Sequence, residues 1–340
     1  MTAPANASYP ALPPSPIDFG DLLASALRLF GQRIGIYALL ALVQAVVTLV
    51  VTGIVAAVVL TQLDMPQGPE QLAGFMVQLA LPLFLISAVS ALTSLYVASI
   101  ALGVAEGSAW GQARSWREAA GRTKGTLARF GWVQVLLSAV GILLTVGLMV
   151  LVFASLATVL TTSQPTQDQA GAILASIGVL LVLSLLAIPV GLVLITKFSL
   201  GVPAAALRGR SGFGAYAESW RLTKGHFWRI LAVVLVAGLL MSLVSSVAQG
   251  IVQNGTTVDL SDPNALSGID LVTFGIVQVV MQAISAFGSV FMQVVLFVVY
   301  ADIDRRQRGE VRPIGAPMLV QPQQYAHPQP PYNFPPNSWQ

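Results

Sequence analysis

The chain has 340 residues, of which 55% are hydrophobic and only 9% are Asp, Glu, Lys or Arg, against roughly 25% charged in an ordinary soluble domain. Mean hydropathy is +0.77. There is no Cys and only two His, His226 and His327. This composition excludes a soluble globular enzyme, a coiled coil, a disordered chain, a disulfide framework and a thiolate or His-rich metal centre. No cofactor is expected.

Residues 1–16, MTAPANASYPALPPSP, are rich in Pro and Ala and read as a disordered tail. The membrane domain is expected over 17–310. A bilayer core of about 30 Å needs roughly 20 apolar residues in a helix. Six runs qualify: Ile34–Leu60, Met76–Val104, Trp132–Leu160, Ile173–Leu200, Ile230–Val252 and Leu271–Tyr300. The first is too long for a cleavable leader and lacks a small-residue cleavage site. Residues 311–340, rich in Pro, Gln and Tyr, read as a second disordered tail, with docking of a cytoplasmic protein as a possible use.

The loops alternate in charge. Those around 61–75, 161–172 and 253–270 hold six acidic residues and no basic one, for a net −6. All 17 basic residues lie elsewhere with the other eight acids, 17 − 8 = +9, and the two sums give the chain's +3. Lys and Arg in short loops mark the cytoplasmic side. Both termini and both long basic loops are therefore expected in the cytoplasm, and the protein in the cell membrane. The basic balance needs no nucleic acid to explain it.

The chain also repeats itself. Thr123-Lys124-Gly125 recurs as Thr223-Lys224-Gly225, Arg129 as Arg229, Glu118 as Glu218, and Leu102-Gly103-Val104 as Leu200-Gly201-Val202, with a weaker copy at Arg28-Leu29-Phe30-Gly31. These matches predict an all-α integral membrane protein. Its six transmembrane helices would form three parallel-topology hairpin repeats, each opening with a cytoplasmic amphipathic interfacial helix. In 215–229, Tyr216, Trp220, Thr223 and Phe227 fall on one helical face. Aromatic and basic residues at a span entrance suit the headgroup layer. Trp220, Arg221, Lys224, Trp228, Arg229, Lys124 and Arg129 are thus candidates for contact with lipid headgroups, anionic ones in particular. A plain membrane-plane anchor has the same signature.

Chemistry is sparse. No titratable residue sits near the middle of a span, which weakens the case for an ion-coupled carrier. Instead Gln278, Gln282, Ser285, Ser289 and Gln293 line one face of the last span. Gln44, Thr48 and Thr52 do so in the first, and Ser242, Ser245 and Gln249 in the fifth. Such stripes either hydrogen-bond between helices or line a path for a small solute or lipid. Pro82 and Pro189 should kink their spans, with a break near Gly191. Glu106, Asp302 and Asp304 lie among Arg residues and are expected to form solvated ion pairs. No nucleophile, base and metal ligand cluster together, so an enzyme is not expected.

Three segments resemble the bacterial multi-pass family named for the membrane domain of glycerophosphoryl diester phosphodiesterase. Pro16-Ile17-Asp18-Phe19-Gly20-Asp21-Leu22-Leu23 through Phe30 resembles its opening helix. Ser219-Trp220-Arg221-Leu222 followed by Gly225-His226-Phe227-Trp228-Arg229 is similar to its strongest motif. Val299-Tyr300-Ala301-Asp302-Ile303-Asp304-Arg305-Arg306 resembles its exit from the last span, with Asp304 where an Arg is usual. The resemblance extends over about 16–310. It implies a six-span membrane protein of largely uncharacterised role. The acidic and His residues of the family's soluble catalytic barrel are missing, so the family name does not imply that activity here.

Overall fold

Among the described residues every regular element is an α-helix. The computed structural model describes residues 17–62, 69–111, 114–160, 178, 182, 185–186, 188–255 and 271–308. The two tails, loop 161–172, parts of the loops at 61–75 and 253–270, and most of the first half of the fourth span lie outside the described residues.

Long helices alternate with short ones. Helix α1 (Phe19–Gln32) precedes α2 (Ile34–Gln62), and α3 (Pro69–Ala109) follows. Helix α4 (Trp116–Arg122) precedes α5 (Thr126–Leu160). The fourth span is helical at 188–198 (α6), turns at Ser199 and Leu200, and resumes as α7 (Gly201–Arg208). Helix α8 (Phe213–Thr223) precedes α9 (Phe227–Gly255), and α10 (Leu271–Arg308) ends the described chain. Six stretches are long and apolar enough to cross a membrane: Ile34–Val59, Gln78–Ala109, Thr126–Gly147, Ile188–Arg208, Phe227–Gly250 and Val277–Gln307. The protein is a multi-pass helical membrane protein. Pro82 lies inside α3, which continues on both sides of it. The interruption in span four falls at Ser199–Leu200, not at Gly191.

Two spans overshoot the bilayer. Helix α3 has 41 residues and α10 has 38, about 61 and 57 Å at 1.5 Å per residue, against a core of about 30 Å. The surplus is where the protein is densest. Every residue in 97–109 and in 294–305 is buried, so neither stretch has a side left for lipid. The short helices pack around them: α1 on α10, α3 and α9, α4 on α3, and α7 on α3, α8 and α10. Small residues permit this closeness. A Cβ on Gly103 would lie 3.1 Å from that of Ala119 in α4, and one on Gly201 would lie 2.9 Å from the Tyr216 ring in α8. Each glycine is the spot where the next short helix meets the end of the preceding span.

Away from this end the helices show apolar side chains outward: Leu42, Val46, Val50 and Ile54 in α2, Leu143 and Leu144 in α5, Leu239 and Leu243 in α9. These surfaces suit acyl chains.

Helix α1 runs along α10. Ile17 N donates to the Asp302 carboxylate at 2.9 Å. In its last turn, about one turn before α2 starts, α1 reaches the middle of α10 through Phe30. The Phe30 ring stacks on Tyr37 at 4.9 Å and meets Phe287 and Phe291 edge-on at 5.0 and 5.4 Å. Moving forward along α1 is moving backward along α10, so the two are antiparallel. The buried face is Leu22, Ser25, Ala26, Leu29 and Phe30, the spacing of one helical stripe.

The Thr-Lys-Gly repeat is visible in the turns. Thr126 N donates to Thr123 O, and His226 N to Thr223 O. Gly125 and Gly225 both have positive φ, +91° and +86°, where a Cβ is disfavoured. Helix α8 therefore stops at Thr223, and Phe227 belongs to the next helix rather than continuing its face. The buried residues of α8 are Ala215, Glu218, Ser219, Leu222 and Thr223. That face differs from the aromatic one the periodicity predicts, because it includes a carboxylate with fixed basic partners.

The glycine contact yields a test. Gly201→Val should lower the unfolding temperature in detergent, consistent with an overpacking cost of about 1–3 kcal/mol. Gly238→Ala in α9, where nothing lies within 4 Å of the added Cβ, should leave it unchanged or raised.

Candidate functional site

The charged residues gather where α3, α7 and α10 end and α4, α5, α8 and α9 begin. Their carboxylates are buried, contrary to the solvated pairs expected, because arginines on neighbouring elements neutralise them. Glu106 is held by Arg114 at 2.5 Å and Arg122 at 3.3 Å. Glu218 is held by Arg208 at 2.9 Å and Arg210 at 2.7 Å. Arg208 also pairs with Asp304. Asp304, at the position where an Arg is usual, thus has a basic partner on another element.

Asp302, only 1% exposed, pairs with Arg229 at 3.1 Å and Arg306 at 3.0 Å. It also accepts the Ile17 amide. Arg306 donates to Ile17 O at 2.9 Å, and Arg229 donates to the same oxygen. Both backbone polar groups of one residue, Ile17, are therefore gripped from α9 and α10. Among the sequence candidates, Arg229 is such a gripping residue. Arg129 has a related place: it donates to Gly209 O at 3.3 Å, and its own carbonyl accepts from Gly212 N at 2.8 Å. The two matched arginines each hold the stretch leading into a short helix. Their matched partners Glu118 and Glu218 differ. Glu118 is exposed and completes a capping box with Ser115, whereas Glu218 is buried between arginines.

Burial alone would raise the Glu218 carboxyl. Hydrogen bonds and charge from Arg208 and Arg210 outweigh it and hold the group below the ordinary glutamate range. Burial pushes the Tyr216 phenol up to about 12, so it stays a neutral donor to Gln134, 3.3 Å away.

Around these pairs runs an aromatic rim. Trp220 is 48% exposed and Trp228 78%. Arg221 and Lys224 beside them are also exposed. Arg221 lies 3.8 Å from Glu218, whose nearer partners are Arg208 and Arg210. Lys124 is exposed in the equivalent turn after α4. The structure thus brings Trp220, Arg221, Lys224 and Trp228 together around the α8–α9 turn, and sets Arg229 inward. Sequence reasoning missed Lys197, whose ammonium lies 4.8 Å from the Trp220 ring centre and 5.8 Å from that of Phe227. Its signal was a lone basic residue near the end of an apolar run.

The stripe of α10 is divided. Gln278 and Ser285 are exposed, while Gln282, Ser289 and Gln293 are half-buried. Tyr37 lies near Phe287 and Phe291 through Phe30, and Met241 touches the Gly288 position at 3.2 Å. Two turns outward from Tyr37 comes Gln44, and one turn from Met241 comes Ser245. Both therefore fall near the depth of Gln282 and Ser285. The buried side-chain oxygens of Gln44, Ser90 and Gln293 have no hydrogen-bond partner among the described residues. No group of three or more His, Cys, Asp or Glu able to hold a metal occurs among the described residues.

Residues 197–312 match the family model of the membrane domain of glycerophosphoryl diester phosphodiesterase. The match begins at Lys197 and takes in α7 through α10, including the Glu218 and Asp302 clusters and the aromatic rim. It supports the family read from the Trp-Arg and Tyr-Asp segments; Pro16–Phe30 lies outside the matched region. No curated protein and no solved structure matches the chain.

The Glu218 pairs have a pH signature. A carboxyl lowered on folding contributes stability above its unfolded pKa and loses it as pH falls through the folded value. At neutral pH, Glu218→Gln should cost about 1–3 kcal/mol, the scale of hydrogen bonds to charged groups. The gap between variant and parent should close on the acid side of the ordinary glutamate range, as followed by thermal unfolding in detergent across pH.

Proposed function

We propose that this is a non-enzymatic multi-pass protein of the cell membrane, with its charged end and both termini in the cytoplasm, whose aromatic–basic rim handles lipid or holds a partner. On this reading α1, α4 and α8 open three parallel hairpin repeats as cytoplasmic amphipathic helices. The three basic-free loops alternate accordingly with the two basic-rich loops and the basic flanks. The observation that carries the reading is the contrast within one cluster. Arg208, Arg210 and Arg229 are committed to buried carboxylates. Trp220, Trp228, Arg221 and Lys224 stand outward at the foot of a span. Exposed indoles and cations at that level fit the headgroup layer, where each basic side chain is worth about 1 kcal/mol toward an anionic leaflet. The Pro-rich segment 311–340 is the proposed docking tail for a cytoplasmic protein.

Extraction with a polymer that retains surrounding lipid, followed by mass spectrometry, tests this. Joint replacement of Trp220, Arg221, Lys224 and Trp228 by Ala should lower the enrichment of co-purifying lipid or protein severalfold while leaving insertion intact. Unchanged associates in a correctly inserted variant would refute it.

A second reading, a permease for a small solute or lipid, is favoured by the oxygens of Gln44, Ser90 and Gln293, which have no hydrogen-bond partner among the described residues, and by the common depth of the polar stripes. Polar atoms left unpaired in a membrane interior are costly, and a passing solute would use them. Gln293→Leu separates the cases. If the oxygen serves no solute, the variant should be as stable as the parent or more so, with no change in vesicle swelling driven by small polyols. A path predicts loss of the swelling that the parent protein confers.

A further inference from the structure

We infer that Lys197, seated against Trp220 and Phe227, is a binding site for the phosphodiester of an anionic phospholipid. This inference rests on the lipid reading above and names the lipid class. The residue stands on α6 at the limit of its lipid-facing surface. Val193, Leu194 and Ile195 just before it are exposed apolar side chains, and the chain turns away at Ser199. That is the depth at which a lysine stem lies in hydrocarbon while its ammonium reaches the headgroups.

The ammonium is fixed there. Its Nζ is within cation–π range of two rings, 4.8 Å from Trp220 and 5.8 Å from Phe227. Phe227 is braced edge-on by Trp228 at 5.4 Å, and Phe198 packs 6.0 Å from Trp220. The Ser219 hydroxyl donates to Lys197 O at 2.6 Å and ties the end of α6 to α8. The nearby carboxylate is already committed, since Glu218 takes Arg208 and Arg210. Lys197 has no ion pair to a carboxylate among the described residues, in contrast to Arg229 and Arg306.

Rings can hold a cation but supply no negative charge. A fixed ammonium at headgroup depth with no carboxylate partner among the described residues draws its counter-charge from the membrane, where the nearest anions are lipid phosphates. A zwitterionic choline headgroup gains less. Its own cation would compete for the ring faces that Lys197 already covers, and its phosphate is internally balanced. The exposed Trp220 and Trp228 indoles add N–H donors at the same level.

The full chain in discs containing equal phosphatidylglycerol and phosphatidylcholine provides the test, read as the ratio of the two lipids retained on gentle extraction. Lys197→Gln is the informative variant, because it removes the charge and keeps an unbranched polar side chain, and it should still fold and insert as the parent does. The parent should enrich phosphatidylglycerol, Lys197→Gln should lose about fivefold of that enrichment, and Lys197→Arg should keep most of it. Excess inorganic phosphate should not displace the lipid. Equal retention of both lipids by the parent, an unchanged ratio in Lys197→Gln, or displacement by phosphate would each overturn the inference. Loss in the four-residue rim variant with no loss in Lys197→Gln would overturn this inference alone and leave the wider reading standing. Retention in both would remove both.

Discussion

The Asp302 carboxylate joins the two ends of the described chain. A buried charge without partners is among the costliest features a protein can hold, so its surroundings have little freedom. Arg229 and Arg306 neutralise it, the Ile17 amide completes its hydrogen bonding, and both arginines reach the carbonyl of the same residue. One side chain thereby sets where α1 starts, how α9 leaves and how α10 ends. The Glu218–Arg208–Asp304 chain does similar work between α7, α8 and α10, and Glu106 ties α3 to the segment around α4. Ionic pairs contribute less to net stability than they contribute to deciding which arrangement is allowed.

That division suits a membrane protein. Where helices face acyl chains, leaving lipid for protein brings no hydrophobic gain, and association rests on close packing and polar contacts. The outer stretches of α2, α5 and α9 are apolar and open, with few features that distinguish one neighbour from another. Distinct partners are specified at the other end, by glycines admitting a facing helix and by charges that need particular arginines. The rim of tryptophans lies between the two regimes, where a side chain can be apolar at one edge and polar at the other.

The spans and the family resemblance of 197–312 could be read from the sequence because both signals are strong and local: runs of twenty or more apolar residues, and the Ser219–Arg229 and Tyr300–Arg306 segments. The two Thr-Lys-Gly segments, matched in sequence, both end on a glycine of positive φ. Burial of Glu218 could not be read from periodicity, since its partners Arg208 and Arg210 sit on a different element, and Asp304 finds Arg208 only after α7 and α10 meet. The match of Glu118 to Glu218 was misleading because the two helices start at different points: Glu118 caps the first turn of the short α4, whereas Glu218 lies inside the longer α8, between Arg208 and Arg210. Lys197 was hidden because its rings come from α8 and α9. The polar stripes were legible as stripes, but which of their members are half-buried depends on helix packing that one sequence does not encode visibly.

The grip on Ile17 also orders assembly in time. The amide and carbonyl it uses are synthesised well before Asp302 and Arg306, which lie some 285 residues further along. Until the final helix is in place, Leu22, Ala26, Leu29 and Phe30 have no α10 to cover them. A chain that threads α10 the wrong way round leaves that apolar face without its α10 cover. The join thus acts as a check on threading: only with α10 correctly placed can α1 hide its apolar face.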